Sequence, residues 1–152
     1  MRNFISFLFS FFLIGSISAQ DSLDRYSLVE LIISMESQLK AKSYDQLMPY
    51  AKKALSKIEK EKAKGLFQDT TFARVMYFMG LAHYNNHDFS NAEPFYLKAI
   101  ENQKNADQNS LKCAEYLYSI GNVYLQTGRY FIAESPYLES LNIFKDILGK
   151  EH

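Results

Sequence analysis

The sequence of 152 residues has no tryptophan, a single cysteine, three prolines and six glycines. With only Cys113 present, no intrachain disulfide can form, and the fold must be held by packing. So few glycines and prolines argue against a turn-rich all-β fold. Charge of one sign is also missing. Seventeen basic residues balance seventeen acidic ones, and no basic stripe stands out, which excludes the electrostatic footprint of a nucleic-acid binder. The apolar stretch from Phe4 to Ile14 falls short of the roughly 20 residues that span a bilayer, so no stable membrane span is expected.

What is present is ordinary for a globular chain, with 47% hydrophobic and 22% charged residues. Eleven tyrosines and twelve phenylalanines supply large side chains for a core.

The first residues have the organisation of a secretory leader. Met1-Arg2-Asn3 gives a short basic start, Phe4 to Ile14 an apolar run interrupted by Ser6 and Ser10, and Gly15 to Ala19 a small-residue exit. Residues 1–19 are expected to form a signal peptide cleaved after Ala19, leaving 20–152 as a protein exported to the periplasm or secreted. No cysteine lies near this point, which speaks against a lipid anchor. Removal of Arg2 leaves 16 basic against 17 acidic residues, a mature charge of −1.

An internal repeat governs the rest. Ala73, Tyr77, Gly80, Ala92, Glu93, Tyr96, Leu97 and Lys104 recur 41 residues later as Ala114, Tyr118, Gly121, Ala133, Glu134, Tyr137, Leu138 and Lys145. Within each unit the apolar positions step by three and four, as in Ala73, Met76, Tyr77, Gly80 and Tyr84. Asn85-Asn86-His87-Asp88 and Gln126-Thr127-Gly128-Arg129 separate two such stretches, and Gly128 suits a left-handed helix stop. Each unit therefore reads as a helical hairpin. A weaker copy lies 45 residues upstream, with Tyr44, Pro49, Tyr50, Lys53, Ala54 and Leu55 matching Phe89, Pro94, Phe95, Lys98, Ala99 and Ile100; its first helix is expected over about Asp24 to Lys40. Divergence of this first copy fits a terminal repeat with one neighbour. Gly80 with Ala92, and Gly121 with Ala133, are expected where the helices of a hairpin cross, because glycine inside a helix costs about 1 kcal/mol unless close packing needs it.

These residues resemble a known family. Tyr116 to Tyr124, Gly128-Arg129-Tyr130, Ala133-Glu134, Tyr137-Leu138 and Leu148-Gly149-Lys150-Glu151-His152 look like one long tetratricopeptide repeat of the kinesin-light-chain type, and Ala92 to Tyr96 resembles it too. Ser135-Pro136 replaces Glu93-Pro94, and Asn105 to Gln108 replaces Leu-Gly, so local geometry departs from the pattern. The resemblance implies an all-α, right-handed α-solenoid of about three antiparallel hairpins after the signal peptide. Residues 24–68 form the divergent repeat, and 69–110 and 111–152 the regular ones.

The resemblance further implies a non-catalytic scaffold whose first helices line a groove for a peptide or helix of a protein partner. Carried over, the groove positions are Arg74, Tyr77, Leu81, Tyr84 and Asn85, then Glu115, Tyr118, Asn122, Leu125 and Gln126. The competing reading of the tyrosines is packing between repeats. An alternative role is the N-terminal repeat region of a longer exported protein with a protease-like or sensor-kinase domain, since such repeats normally continue past a point like His152. An uncapped last hairpin also suggests self-association through its open face.

No cofactor and no metal are expected. His83 and His87 are four apart, but His87 falls in the turn and no carboxylate lies between them. Cys113 aligns with Phe72 and reads as a small buried hydrophobe. Glu93 and Glu134 suit the early part of second helices, where negative charge favours the helix dipole. Lys52 to Lys64 reads as a solvated helix face. Pro49, Pro94 and Pro136 lie early in second helices, where a gentle bend is expected.

Overall fold

The structure is a computed structural model that describes residues 23–65 and 68–149. The signal-peptide reading of 1–19 lies outside the described residues. Those residues form six α-helices and one 3-10 turn, with no strand among them. The helices are α1 (Leu28–Lys40), α2 (Leu47–Lys62), α3 (Asp69–Asn85), α4 (Phe89–Asp107), α5 (Leu111–Gln126) and α6 (Tyr130–Leu148). They pair as α1/α2, α3/α4 and α5/α6, and each hairpin packs against the next, giving the all-α solenoid expected from the repeat. None of these helices is long and apolar enough to cross a membrane.

Local chemistry sets the helix starts. Ser27 begins α1 with a capping box: its hydroxyl accepts from the Glu30 N–H at 3.2 Å, and its own N–H donates to Glu30 Oε2 at 2.7 Å. This starts the helix four residues later than the sequence pattern suggests. Asp24, left outside, instead forms an ion pair with Lys53 on α2. Asp88 caps α4 through Asn91, and Ser110 caps α5 through the Cys113 N–H at 3.2 Å.

The three hairpin turns share one solution. Lys42, His87 and Gly128 occupy equivalent positions and all adopt left-handed φ, at 57°, 58° and 73°. In each, the next residue's N–H reaches back to a helix carbonyl: Ser43 to Gln38 at 2.9 Å, Asp88 to His83 at 3.0 Å and Arg129 to Tyr124 at 2.8 Å. This is the Schellman closure, which satisfies carbonyls left free at a helix end. Only the third turn uses the glycine that the conformation favours. The short 3-10 turn Tyr44–Gln46 before α2 has no counterpart in the other hairpins and was not legible from the repeat.

The core runs continuously through the stack. Leu31, Met35, Leu47, Ala51 and Ala54 fill the first hairpin; Ala73, Val75, Ala92 and Tyr96 the second; Cys113, Tyr116, Ile120 and Val123 begin the third. Burial pushes the Cys113 thiol up from its ordinary value, which disfavours the reactive thiolate.

The expected close crossing lies at the two recurrent glycines. A Cβ at Gly80 would stand 2.7 Å from the Tyr96 ring, and one at Gly121 would stand 2.6 Å from the Tyr137 ring. Tyr96 is 1% exposed and walled in by the next hairpin, whereas Tyr137 is only half-buried. Gly80→Ala is therefore expected to destabilise by about 1–3 kcal/mol, despite alanine's better helix propensity. In Gly121→Ala the Tyr137 ring can swing outward, so the loss should be smaller. Urea midpoints of the two variants check the order; equal losses would contradict it.

Candidate functional site

The groove positions lie on α3 and α5, the first helices of consecutive hairpins, but the structure gives them unequal roles. Tyr77 is 6% exposed. Its ring stacks on Tyr116 of α5 at 4.5 Å and tilts against Tyr96 at 5.8 Å, while its hydroxyl donates to Glu115 Oε1 at 2.9 Å. The groove reading of Tyr77 is thereby corrected: a side chain bonded and stacked on its neighbours in this way belongs to packing between hairpins. Burial, then the Glu115 carboxylate, pushes its hydroxyl well above the ordinary value.

Arg74 and Glu115 are likewise engaged at the seams. Arg74 forms an ion pair with Glu36 of α1, and Glu115 accepts from both Tyr77 and Lys112, the latter at 2.8 Å. Leu81 is half-buried, and Asn85 Nδ2 donates to the Leu81 carbonyl at 2.9 Å.

The remaining positions come together. Tyr84, Asn85 and Gln126 line a cleft of about 260 Å³ between α3 and α5, joined by His87 from the hairpin turn and Phe89 at the start of α4. Tyr84 meets Phe89 edge-on at 5.3 Å. Beside this cleft Tyr118 is 54% exposed, its ring 5.5 Å from Tyr137. Tyr137 donates its hydroxyl to Asn122 Oδ1 at 2.7 Å, and Leu125 is also exposed. A second cleft of about 410 Å³ opens among α1, α2 and α3, with Val29, Ile32 and Ile33 of α1, Ile58 and Glu61 of α2, and Thr71 and Arg74 of α3 in its lining.

His87 and Phe89 escaped the sequence reading because they stand in and just after a turn that reads only as polar punctuation. Val29 and Ile33 were not singled out, although at the 45-residue offset they stand where Arg74 and Phe78 stand. The two histidines do not share a helix face: His83 Nδ1 is 2.9 Å from Asp88 Oδ2 and its ring stacks on Phe95 at 5.3 Å, while His87 lies in the turn. Among the described residues no group of three or more His, Cys, Asp or Glu side chains could hold a metal.

Glu93 does more than complement a helix dipole. Arg129, at the turn of the third hairpin, donates Nη1 to Oε1 at 3.0 Å and Nη2 to Oε2 at 2.6 Å, a two-pronged grip across the repeat boundary. The same guanidinium lies 4.5 Å over the Tyr124 ring.

Paired helices, recurrent glycine–tyrosine crossings and these inter-hairpin bonds agree with a direct family match. Residues 71–146 match the family model described as tetratricopeptide repeat. The chain belongs to the tetratricopeptide repeat family. No curated protein and no solved structure matches it significantly. Tetratricopeptide repeats are in general protein–protein interaction modules, and the family is typically non-catalytic.

The stacked pair Tyr77/Tyr116 gives opposite expectations for two similar substitutions. The Tyr116 hydroxyl is buried without a hydrogen-bond partner among the described residues. Tyr116→Phe should therefore be neutral or stabilising, by up to about 1 kcal/mol, whereas Tyr77→Phe loses the bond to Glu115 and should destabilise by about 1 kcal/mol. Thermal unfolding of both variants decides it; a loss at Tyr116→Phe would show that its hydroxyl is satisfied.

Proposed function

We propose that this protein is a non-catalytic scaffold that binds a peptide or helix of a protein partner along the first helices of its hairpins. The observation carrying this reading is that each of the two clefts has walls on successive first helices, α1 with α3 and α3 with α5. The second offers chemistry suited to a backbone. Asn85 and Gln126 present amides that can donate and accept, while Tyr84, Phe89 and Tyr118 offer broad, stiff surfaces with few torsions to immobilise. Such a site holds a chain by its main-chain groups and one or two apolar side chains, and it needs no reactive group.

Peptides selected from a random library displayed on phage test the reading. Selected sequences should lose about tenfold in affinity, or 1.4 kcal/mol, on Tyr84→Ala or Gln126→Ala. They should be unaffected by Tyr26→Ser, a change at an exposed residue ahead of α1. Peptides indifferent to both cleft variants would sink the proposal.

Export to the periplasm or beyond is part of the same proposal and rests on the leader pattern in residues 1–19. Sequencing the N-terminus of the protein recovered from the expressing cell should find Gln20 first; a chain still starting at Met1 would count against export.

A further inference from the structure

No acidic residue, lysine or arginine lines the cleft between α3 and α5; its lining is Tyr84, Asn85, His87, Phe89 and Gln126. Both walls are built within the array, the second hairpin on one side and α5 on the other. The charged side chains of the two nearby turns are engaged elsewhere. Asp88 is bonded to His83 and Asn91, and Arg129 to Glu93 and the Tyr124 ring. A charged ligand group lowered into this cleft would lose water without meeting an opposite charge. The chemistry therefore selects an uncharged segment.

Hydrogen bonding narrows the choice further. The Tyr84 hydroxyl and the Gln126 amide can both donate. Burial, and then neighbouring Tyr118, raises the Tyr84 hydroxyl above its ordinary value, which keeps it a neutral donor. Asn85 is held by its Nδ2 bond to the Leu81 carbonyl at 2.9 Å, and its Oδ1 can accept. A ligand helix satisfies its backbone carbonyls internally and has none to offer along its length. No strand edge exists among the described residues to receive a β-strand. A polyproline II chain makes no internal hydrogen bonds and turns its carbonyls outward.

The rings supply the third constraint. Tyr84 crosses Phe89 at 62° with centroids 5.3 Å apart, and His87 crosses Phe89 at 81° with centroids 5.9 Å apart. Rings crossed in this way form notches rather than a flat platform, and a notch between aromatic faces suits the compact pyrrolidine ring of proline. The notches are also held in place. His87 sits at a left-handed φ of 58°, in a turn closed by the Asp88 N–H on the His83 carbonyl and by the His83–Asp88 side-chain pair. A stiff ligand on a pre-formed site loses little conformational freedom on binding.

We propose that this cleft binds a proline-rich segment of the protein partner in the polyproline II conformation. Pyrrolidine rings seat against Tyr84 and Phe89, and carbonyls accept from Tyr84 and Gln126. The helix repeats every three residues, so prolines three apart present the same edge, and a residue between them can give its N–H to Asn85. This inference rests on the reading of the cleft as the peptide site and narrows its ligand from any peptide or helix to one kind of chain.

Nuclear magnetic resonance titration of the full protein tests it. The probe is an acetylated and amidated Ala-Pro-Pro repeat peptide, about nine residues and roughly 28 Å long as polyproline II. An Ala-Gly-Gly repeat peptide of the same length is the flexible control. The proline peptide should shift the resonances of Tyr84, His87, Phe89 and Gln126 saturably and bind at least about tenfold tighter than the control. Phe89→Ala should cost about tenfold in affinity. Gln126→Glu, at an exposed position, should also weaken binding with circular dichroism unchanged, and it carries the decision should Phe89→Ala disturb the fold. No shift at millimolar peptide, equal affinity for the two peptides, or shifts confined to residues outside the cleft would each overturn the proposal. Phage-selected peptides that lack proline yet lose affinity on Tyr84→Ala would overturn the proline assignment and leave the scaffold reading standing. Selected peptides indifferent to the cleft variants would overturn both.

Discussion

In the second and third hairpins the approach of the two helices is set by one contact: a tyrosine ring packed against a glycine backbone. At Gly80 the Tyr96 ring occupies the space a methyl group would need. Everything that follows in the second hairpin depends on this approach. Tyr96 can be fully enclosed only because α3 yields to it, and Tyr77 can lean on Tyr96 and stack on Tyr116 only because Tyr96 is held there. A helix-weakening residue is thus retained at a helix centre because it admits a large ring whose burial outweighs the backbone penalty. The third hairpin repeats the contact at Gly121, but its ring is covered on one side less and keeps some freedom.

Most of the fold was legible because repetition makes sequence signals mutually checking. The 41-residue offset identifies helices, turns and crossing points twice over, and the helix bounds around Asn85 and Gln126 follow from it. What was less legible belongs to positions with no repeat partner or with a local competitor. The start of α1 is decided by the reciprocal Ser27–Glu30 bonds rather than by periodicity. The 3-10 turn at Tyr44–Gln46 occurs only in the divergent hairpin. His87 and Lys42 adopt a glycine-like conformation without being glycine, which spacing alone does not reveal.

The candidate site was legible to a lesser degree. Position within the repeat names the helix face but not whether the next hairpin covers it. Tyr77 and Tyr118 are equivalent in sequence, yet one is 6% and the other 54% exposed, because among the described residues only the first has a further hairpin against it. Arg74 and Glu115 sit on the expected face but are drawn into bonds with Glu36, Tyr77 and Lys112. Tyr84, Asn85 and Gln126 lie along one cleft, which His87 in the turn and Phe89 at the start of α4 complete.

The grip of Arg129 on Glu93 has a mechanical meaning. A guanidinium fork engaged on both carboxylate oxygens fixes direction as well as distance, so it resists the second and third hairpins swivelling past one another. Cores between hairpins are apolar and tolerate small rolling movements, but a planar charge-assisted fork at the rim does not. The second and third hairpins are therefore held in register at their edge. Because that edge is partly open to solvent, its stiffness is sensitive to ionic strength. The angle between the second and third hairpins should then respond to salt as well as to sequence.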